Sequence, residues 1–154
     1  GPPFAGPMMR PGLANGPLAS DRSSDEPKFT APGHWKPGEL NSFRVAAFVA
    51  EQDGETAEIT ISSAGGNPLD NINRWRGQVD LEPWTIDDLK TGLKLLTVDG
   101  EAAGYVQLVG PANTILGVIH RAAGRTWFIK LTGPNKIAAT EQTHFEDFVK
   151  SLKF

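Results

Sequence analysis

The 154-residue chain contains no cysteine. That excludes a disulfide framework, thiolate metal ligation and a cysteine nucleophile. It also has no long apolar run: none approaches the roughly 20 residues of a membrane-spanning helix. No basic segment leads into an apolar one, so we expect any signal peptide to have been removed or never to have existed. Positive charge is not in excess. Fifteen Lys and Arg stand against eighteen Asp and Glu, for a net charge of −3 and a pI of about 5.6, which argues against a nucleic-acid-binding face. Histidine is scarce: His34, His120 and His144. None falls at a spacing such as His-x-x-x-His, so no metal and no cofactor is expected. A Gly-x-Ser-x-Gly elbow is missing as well. Gly65-Gly66 is too short for a phosphate loop, although it precedes a helix start. Asp87 and Asp88 would point about 100° apart on a helix and read as first-turn charges favoured by the dipole. No residue is assigned a catalytic role.

What the chain does have is a dense polar-aromatic stretch from Asn71 to Gln78, with two arginines, a tryptophan and three amides. Asn67 and Pro68 before it make a good helix start, because Asn caps free amides and Pro is preset for the first turn. Asp70 suits that end, and Gly77 lies near the other. At 100° per residue, Leu69, Ile72, Trp75 and Val79 form an apolar arc. Asp70, Arg74 and Gln78 lie opposite, with Asp70 and Arg74 spaced for an i,i+4 ion pair. Arg76 falls inside the apolar arc and Asn73 on its border. Arg74 is therefore expected to be solvated, and Arg76 to turn toward the sheet and need acceptors there. Asn73 and Arg76 then either tie the helix to backbone carbonyls, the plainer expectation, or line a cleft that binds an anion or a partner's carboxylate.

Around this stretch the pattern is that of an α+β domain. Residues 1–28 are rich in Gly and Pro and read as a flexible linker, with 29–154 as a single domain. Trp35 is expected to pack over the edge of the core. Phe43–Ala50 and Glu55–Ser62 alternate across a Gln52-Asp53-Gly54 turn and predict a hairpin. Alternation puts Phe43, Val45, Ala47 and Val49 on one face. Thr85 and Asp88 form a capping box for a short helix through Ile86 and Leu89. Strands follow at Leu93–Val98, Gly104–Val109, Ile115–His120 and Thr126–Thr132. The last has large residues on both faces, which predicts a central strand covered on both sides. Gly133-Pro134 opens a helical region, within which Thr143 and Glu146 predict the start of a second helix. Phe145, Phe148, Val149 and Leu152 make its amphipathic stripe. Hairpins imply an antiparallel sheet, and helices around them a layered sandwich.

Three segments carry a family resemblance: Asn-Arg-Trp-Arg-Gly-Gln at 73–78, Trp-Phe-x-Lys-Leu-Thr-Gly-Pro at 127–134, and Phe-x-x-Phe ending in Ser-Leu-Lys-Phe at 145–154. In these the chain resembles uncharacterised bacterial envelope proteins and lipoprotein-like sequences frequent in planctomycetes, over roughly its last four-fifths. The resemblance implies a PsbP-like α/β/α sandwich with a central, mostly antiparallel sheet and a C-terminal amphipathic helix. Members of that superfamily are mostly non-enzymatic binding or assembly factors, among them an extrinsic photosystem subunit and a binder of the small GTPase Ran. The resemblance also suggests a lipidated cysteine ahead of the linker, hence a membrane tether and an exported, cell-envelope or periplasmic location. It brings no functional residues with it.

The functional expectation is thus a non-catalytic envelope module that binds a protein partner or small ligand. Alternatives are a hydrolase or transferase assembled around Arg76, Asn73 and His120, and a carrier of a small apolar ligand beside Trp75 and Phe128. The candidate binding residues are Asn73, Trp75, Arg76, Gln78, His120, Arg121 and Arg125. The last group, at a strand turn, reads either as a solvated basic hairpin tip or as part of the site.

Overall fold

The computed structural model describes residues 27–63, 65–122 and 124–154. The linker expected at 1–28 lies outside them except for Pro27 and Lys28; Lys28 pairs with Lys153 by two backbone hydrogen bonds of 2.8 Å. Ten elements follow in the order β1 (Lys36–Pro37), β2 (Arg44–Gln52), β3 (Glu55–Ser63), α1 (Pro68–Gln78), α2 (Ile86–Gly92), β4 (Lys94–Val98), β5 (Glu101–Val109), β6 (Asn113–Ala122), β7 (Arg125–Pro134) and α3 (Asn135–Lys150). The strands form one seven-stranded sheet in the order β1-β2-β3-β7-β6-β5-β4. Every neighbouring pair is antiparallel. Asp53-Gly54 and Asp99-Gly100 make the hairpin turns, all four with positive φ, as the turn that matches strand twist requires.

β7 is the middle strand, and its alternation sends side chains into two cores. Trp127, Ile129 and Leu131 face α3 together with Ile59, Ile61, Leu116, Val118, Phe145, Phe148 and Trp35. Phe128 faces α1 with Ile72, Trp75, Val79, Val106, Leu108 and Ile115. Each such buried side chain contributes roughly 1.5–3 kcal/mol. Trp75 packs against Gly117, where a Cβ would come within 2.5 Å of the indole; only glycine lets α1 sit this close. Helices cover both faces, so the sandwich is α/β/α.

The helix signals held at α1 and α2. The Asn67 side chain accepts from the Asp70 amide, and Thr85 and Asp88 cap reciprocally. Three expectations need correction. α3 is one continuous helix, with no second start at Thr143. Its buried stripe runs unbroken from Ile137 to Val149, and Glu146 turns to accept from the Tyr105 hydroxyl at 2.8 Å. Asp70 does not pair with Arg74; its carboxylate accepts from Asn67 at 2.7 Å. β2 carries a bulge between Arg44 and Ala46, which breaks the simple alternation and leaves Phe43 69% exposed.

Candidate functional site

The two sheet faces are covered unequally. α3 packs against β2, β3, β4, β6 and β7, whereas α1 packs against β5 and β6. Beside α1, part of the sheet is therefore left open over β2, β3 and β7. A groove of about 370 Å³ opens there. Cross-strand register builds its floor: Thr60 lies opposite Lys130, and Ser62 opposite both Arg44 and Phe128. Arg74 and Trp75 from α1 form one wall, and Asn41, Phe43 and Arg44 the other.

Charge in the groove is lopsided. Arg44 is paired with Glu58 through two 3.1 Å hydrogen bonds. Arg74 has no side-chain hydrogen bond or ion pair among the described residues. Lys130 Nζ lies 3.4 Å from the Gln78 amide oxygen and 5.7 Å from the centre of the Trp75 ring. Burial, and then the nearby Arg74, push the Lys130 ammonium below its ordinary value; Glu58 pulls the other way, and Arg44 adds a weaker downward push. Three cations thus share one groove over a floor of hydroxyls, and one of them, Arg44, is paired with a carboxylate. An incoming anion would relieve their mutual repulsion, and the partly dry setting would strengthen the attraction.

Of the residues singled out in the sequence, Trp75 borders this groove and Gln78 touches Lys130. Asn73 and Arg76 are turned elsewhere. The Asn73 side chain donates to the Trp84 carbonyl at 3.0 Å and accepts from the Trp84 amide at 2.6 Å. Arg76 Nε donates to the Glu82 carbonyl, and the guanidinium stacks 4.9 Å from the centre of the Trp84 ring. Arg76 is thus half-buried against the 82–84 loop, not aimed at the sheet, because Trp75 and Val79 already fill the space beneath the helix. His120 is not at a solvated hairpin tip. It is 4% exposed beneath Phe154, with ring centroids 5.1 Å apart, and its Nδ1 has no hydrogen-bond partner among the described residues. Burial holds its imidazole below the ordinary value of 6.5, partly offset by Glu101 and Asp99. Arg121 and Arg125 are exposed; Arg121 donates to Thr126 at 3.2 Å, and Arg125 lies over Trp127 at 5.7 Å. None of these three lines the groove.

Sequence reading missed Arg44, Thr60, Ser62 and Lys130. The available signal was a lysine inside the central strand together with the polar alternation Glu58, Thr60, Ser62. A cation there needs an opening to water in the layer above it. A second grouping was missed too: His34, far in sequence from Glu141 and His144, joins them, and each places a ligand-capable atom within 4.8 Å of the others.

No protein-family model and no curated protein sequence matches the chain. Solved structures do resemble it. The cyanobacterial PsbP, CyanoP, of Synechocystis sp. PCC 6803 aligns with a TM-score of 0.53 at 14% identity, over 85% of this chain and 88% of its own. The fold is PsbP-like. A protein of Bacteroides thetaiotaomicron VPI-5482 aligns at a TM-score of 0.47 and 13% identity over 82% of this chain, which spans only 44% of the Bacteroides protein. LpqN of Mycobacterium tuberculosis, a protein involved in cell envelope biogenesis, aligns at 0.45 and 12% identity over 82% of each chain. At such identities the PsbP-like likeness is one of fold alone.

Proposed function

We propose that this chain is a non-catalytic binding module of the cell envelope, and that it holds an anionic group of its ligand or partner in the groove of Arg44, Arg74 and Lys130. The observation that carries this reading is the convergence of three cations, of which Arg44 is paired with a carboxylate, on one groove lined by the Thr60 and Ser62 hydroxyls. Phe43, Trp75 and Phe128 border the same groove, so the best-fitting ligand pairs a carboxylate or phosphate with an apolar body. The envelope location is supported by the sequence resemblance at 73–78, 127–134 and 145–154. The hydrolase or transferase alternative is not favoured, since Asn73 and Arg76 direct their polar atoms to the 82–84 loop.

The test is an amide chemical-shift titration with inorganic phosphate and with hexanoate at matched ionic strength, with chloride as control. Saturable shifts at Thr60, Ser62 and Lys130 are expected with the two anions but not with chloride. They should vanish in a Lys130→Met, Arg74→Ala variant. Equal responses to all three salts, or responses that survive in the variant, would rule the groove out. Fractionation of the native host should place the protein with the envelope; recovery in the cytosol would refute that part.

A further inference from the structure

On the α3 side of the sheet, the second cluster stands apart from the groove. Glu141 and His144 are three residues apart on α3 and share a face. The loop carrying His34 folds over them, held by the Trp35 amide bonding to the Pro32 carbonyl at 3.1 Å and the Thr30 amide bonding to Ser151 at 2.9 Å. The Glu141 side chain has no solvent exposure. It accepts from the Trp35 indole at 2.8 Å and from the Gln52 amide at 3.3 Å. His34 Nε2 lies 2.9 Å from both of its oxygens, and His144 Nδ1 lies 3.3 Å from Oε1. The two imidazoles meet edge to face with centroids 4.7 Å apart, and both are partly open to solvent.

Burial pushes the Glu141 carboxyl up. The hydrogen bonds from Trp35 and His34, with the charge of the two imidazoles, outweigh it and hold the group below its ordinary value. Trp35, Gln52 and His34 are already enough to satisfy a buried carboxylate. The approach of a second imidazole from His144 adds a basic nitrogen that this task does not need.

We propose that His34, Glu141 and His144 form a binding site for a first-row divalent transition-metal ion such as zinc, which staples the loop carrying His34 to α3. Such ions hold nitrogen and oxygen ligands at about 2.0–2.2 Å, which places neighbouring ligand atoms roughly 3 to 3.5 Å apart, from octahedral to tetrahedral geometry. The two imidazole–carboxylate separations, 2.9 and 3.3 Å, already match. Rotation of the partly exposed rings completes the set. Two imidazoles and a carboxylate without sulfur suit zinc and the neighbouring divalent metals. Trp35 and Gln52 fix the carboxylate from outside the ligand set, as the second shell of a metal site does. His144 also borders an open cleft of about 400 Å³ with Thr30, Asp147 and Ser151. The remaining coordination positions therefore face water or a further ligand.

Calorimetric titration of the metal-stripped chain with zinc tests this. One ion per chain is expected, with a rise in Tm. His34→Ala and His144→Ala should each weaken binding by at least about tenfold, and the double variant should lose both binding and the Tm rise. The chain has no cysteine and only three histidines, and the third, His120, is buried, so few strong competing sites exist. His144 is a partly exposed helix position, so His144→Ala decides the matter even if His34→Ala disturbs the loop. Zinc binding of unchanged strength in a folded His144→Ala variant would overturn the proposal, as would no heat and no Tm change in the folded native chain at millimolar zinc.

Discussion

The two faces of this sheet received the same kind of covering and were used differently. On one side the 16-residue α3 spans the strands, and the side chains beneath it close into a continuous core. Its one charged intruder, Glu141, is buried and surrounded by donors. On the other side the 11-residue α1 reaches only part of the sheet. The uncovered strands carry Thr60, Ser62 and Lys130 where the sealed face carries Ile59, Ile61 and Ile129. A helix of 11 residues is only about 16 Å long, too short to roof seven strands. Length of cover and composition of the strand go together here: the roofed face is apolar, and the open one carries the polar side chains.

The largest test of this contrast is truncation beneath each helix. Phe145→Ala, beneath α3, should cost about 3–5 kcal/mol, and Ile72→Ala, beneath α1, about 2–5 kcal/mol. Denaturant unfolding should put the α3 variant lower. A larger loss at Ile72 would mean that the smaller core is the stronger.

A smaller effect separates the flanks of α1. Asn73→Ala removes both bonds to the Trp84 backbone and should cost about 1–3 kcal/mol. Arg76→Ala should cost less, because the guanidinium is only half-buried. Arg74→Ala should stay within about 0.5 kcal/mol, as an exposed substitution, while weakening the anion response. Equal losses at all three positions would show that the 82–84 loop is not held by Asn73.

The smallest effect comes from His120. Its folded value lies below 6.5 because it is buried, so between the two values the unfolded chain binds a proton that the folded chain does not. Stability contributed at this position is complete above about pH 6.5 and falls as the pH drops toward the folded value. His120→Phe should flatten the wild-type slope below about pH 6.5. An unchanged slope would mean that the ring binds protons alike in the folded and unfolded chains.

Much of the architecture was legible in the sequence, because local rules and tertiary structure agree there. Asp-Gly turns set two hairpins, Asn67-Pro68 starts α1, Thr85 and Asp88 cap α2, and the two-sided strand at 126–132 is central. The failures share one cause. Thr143 and Glu146 satisfy a capping pattern, but the buried stripe from Ile137 to Val149 keeps the helix going. Arg76 lies on the apolar arc, but a long side chain can turn sideways to the loop. His120 sits beside two arginines, but Phe154 closes over it.

What the chain alone determined was periodicity: which residues form strands and helices, and where they turn. Those follow from interactions within a few residues. Tertiary structure decided where polar groups meet. Lys130 joins Arg74 and Arg44, and His34 joins Glu141 and His144, across separations of dozens of residues that carry no periodic trace. Such groupings arise only when the ends of a sheet and the reach of a helix determine which side chains share a space and which of them remain open to water.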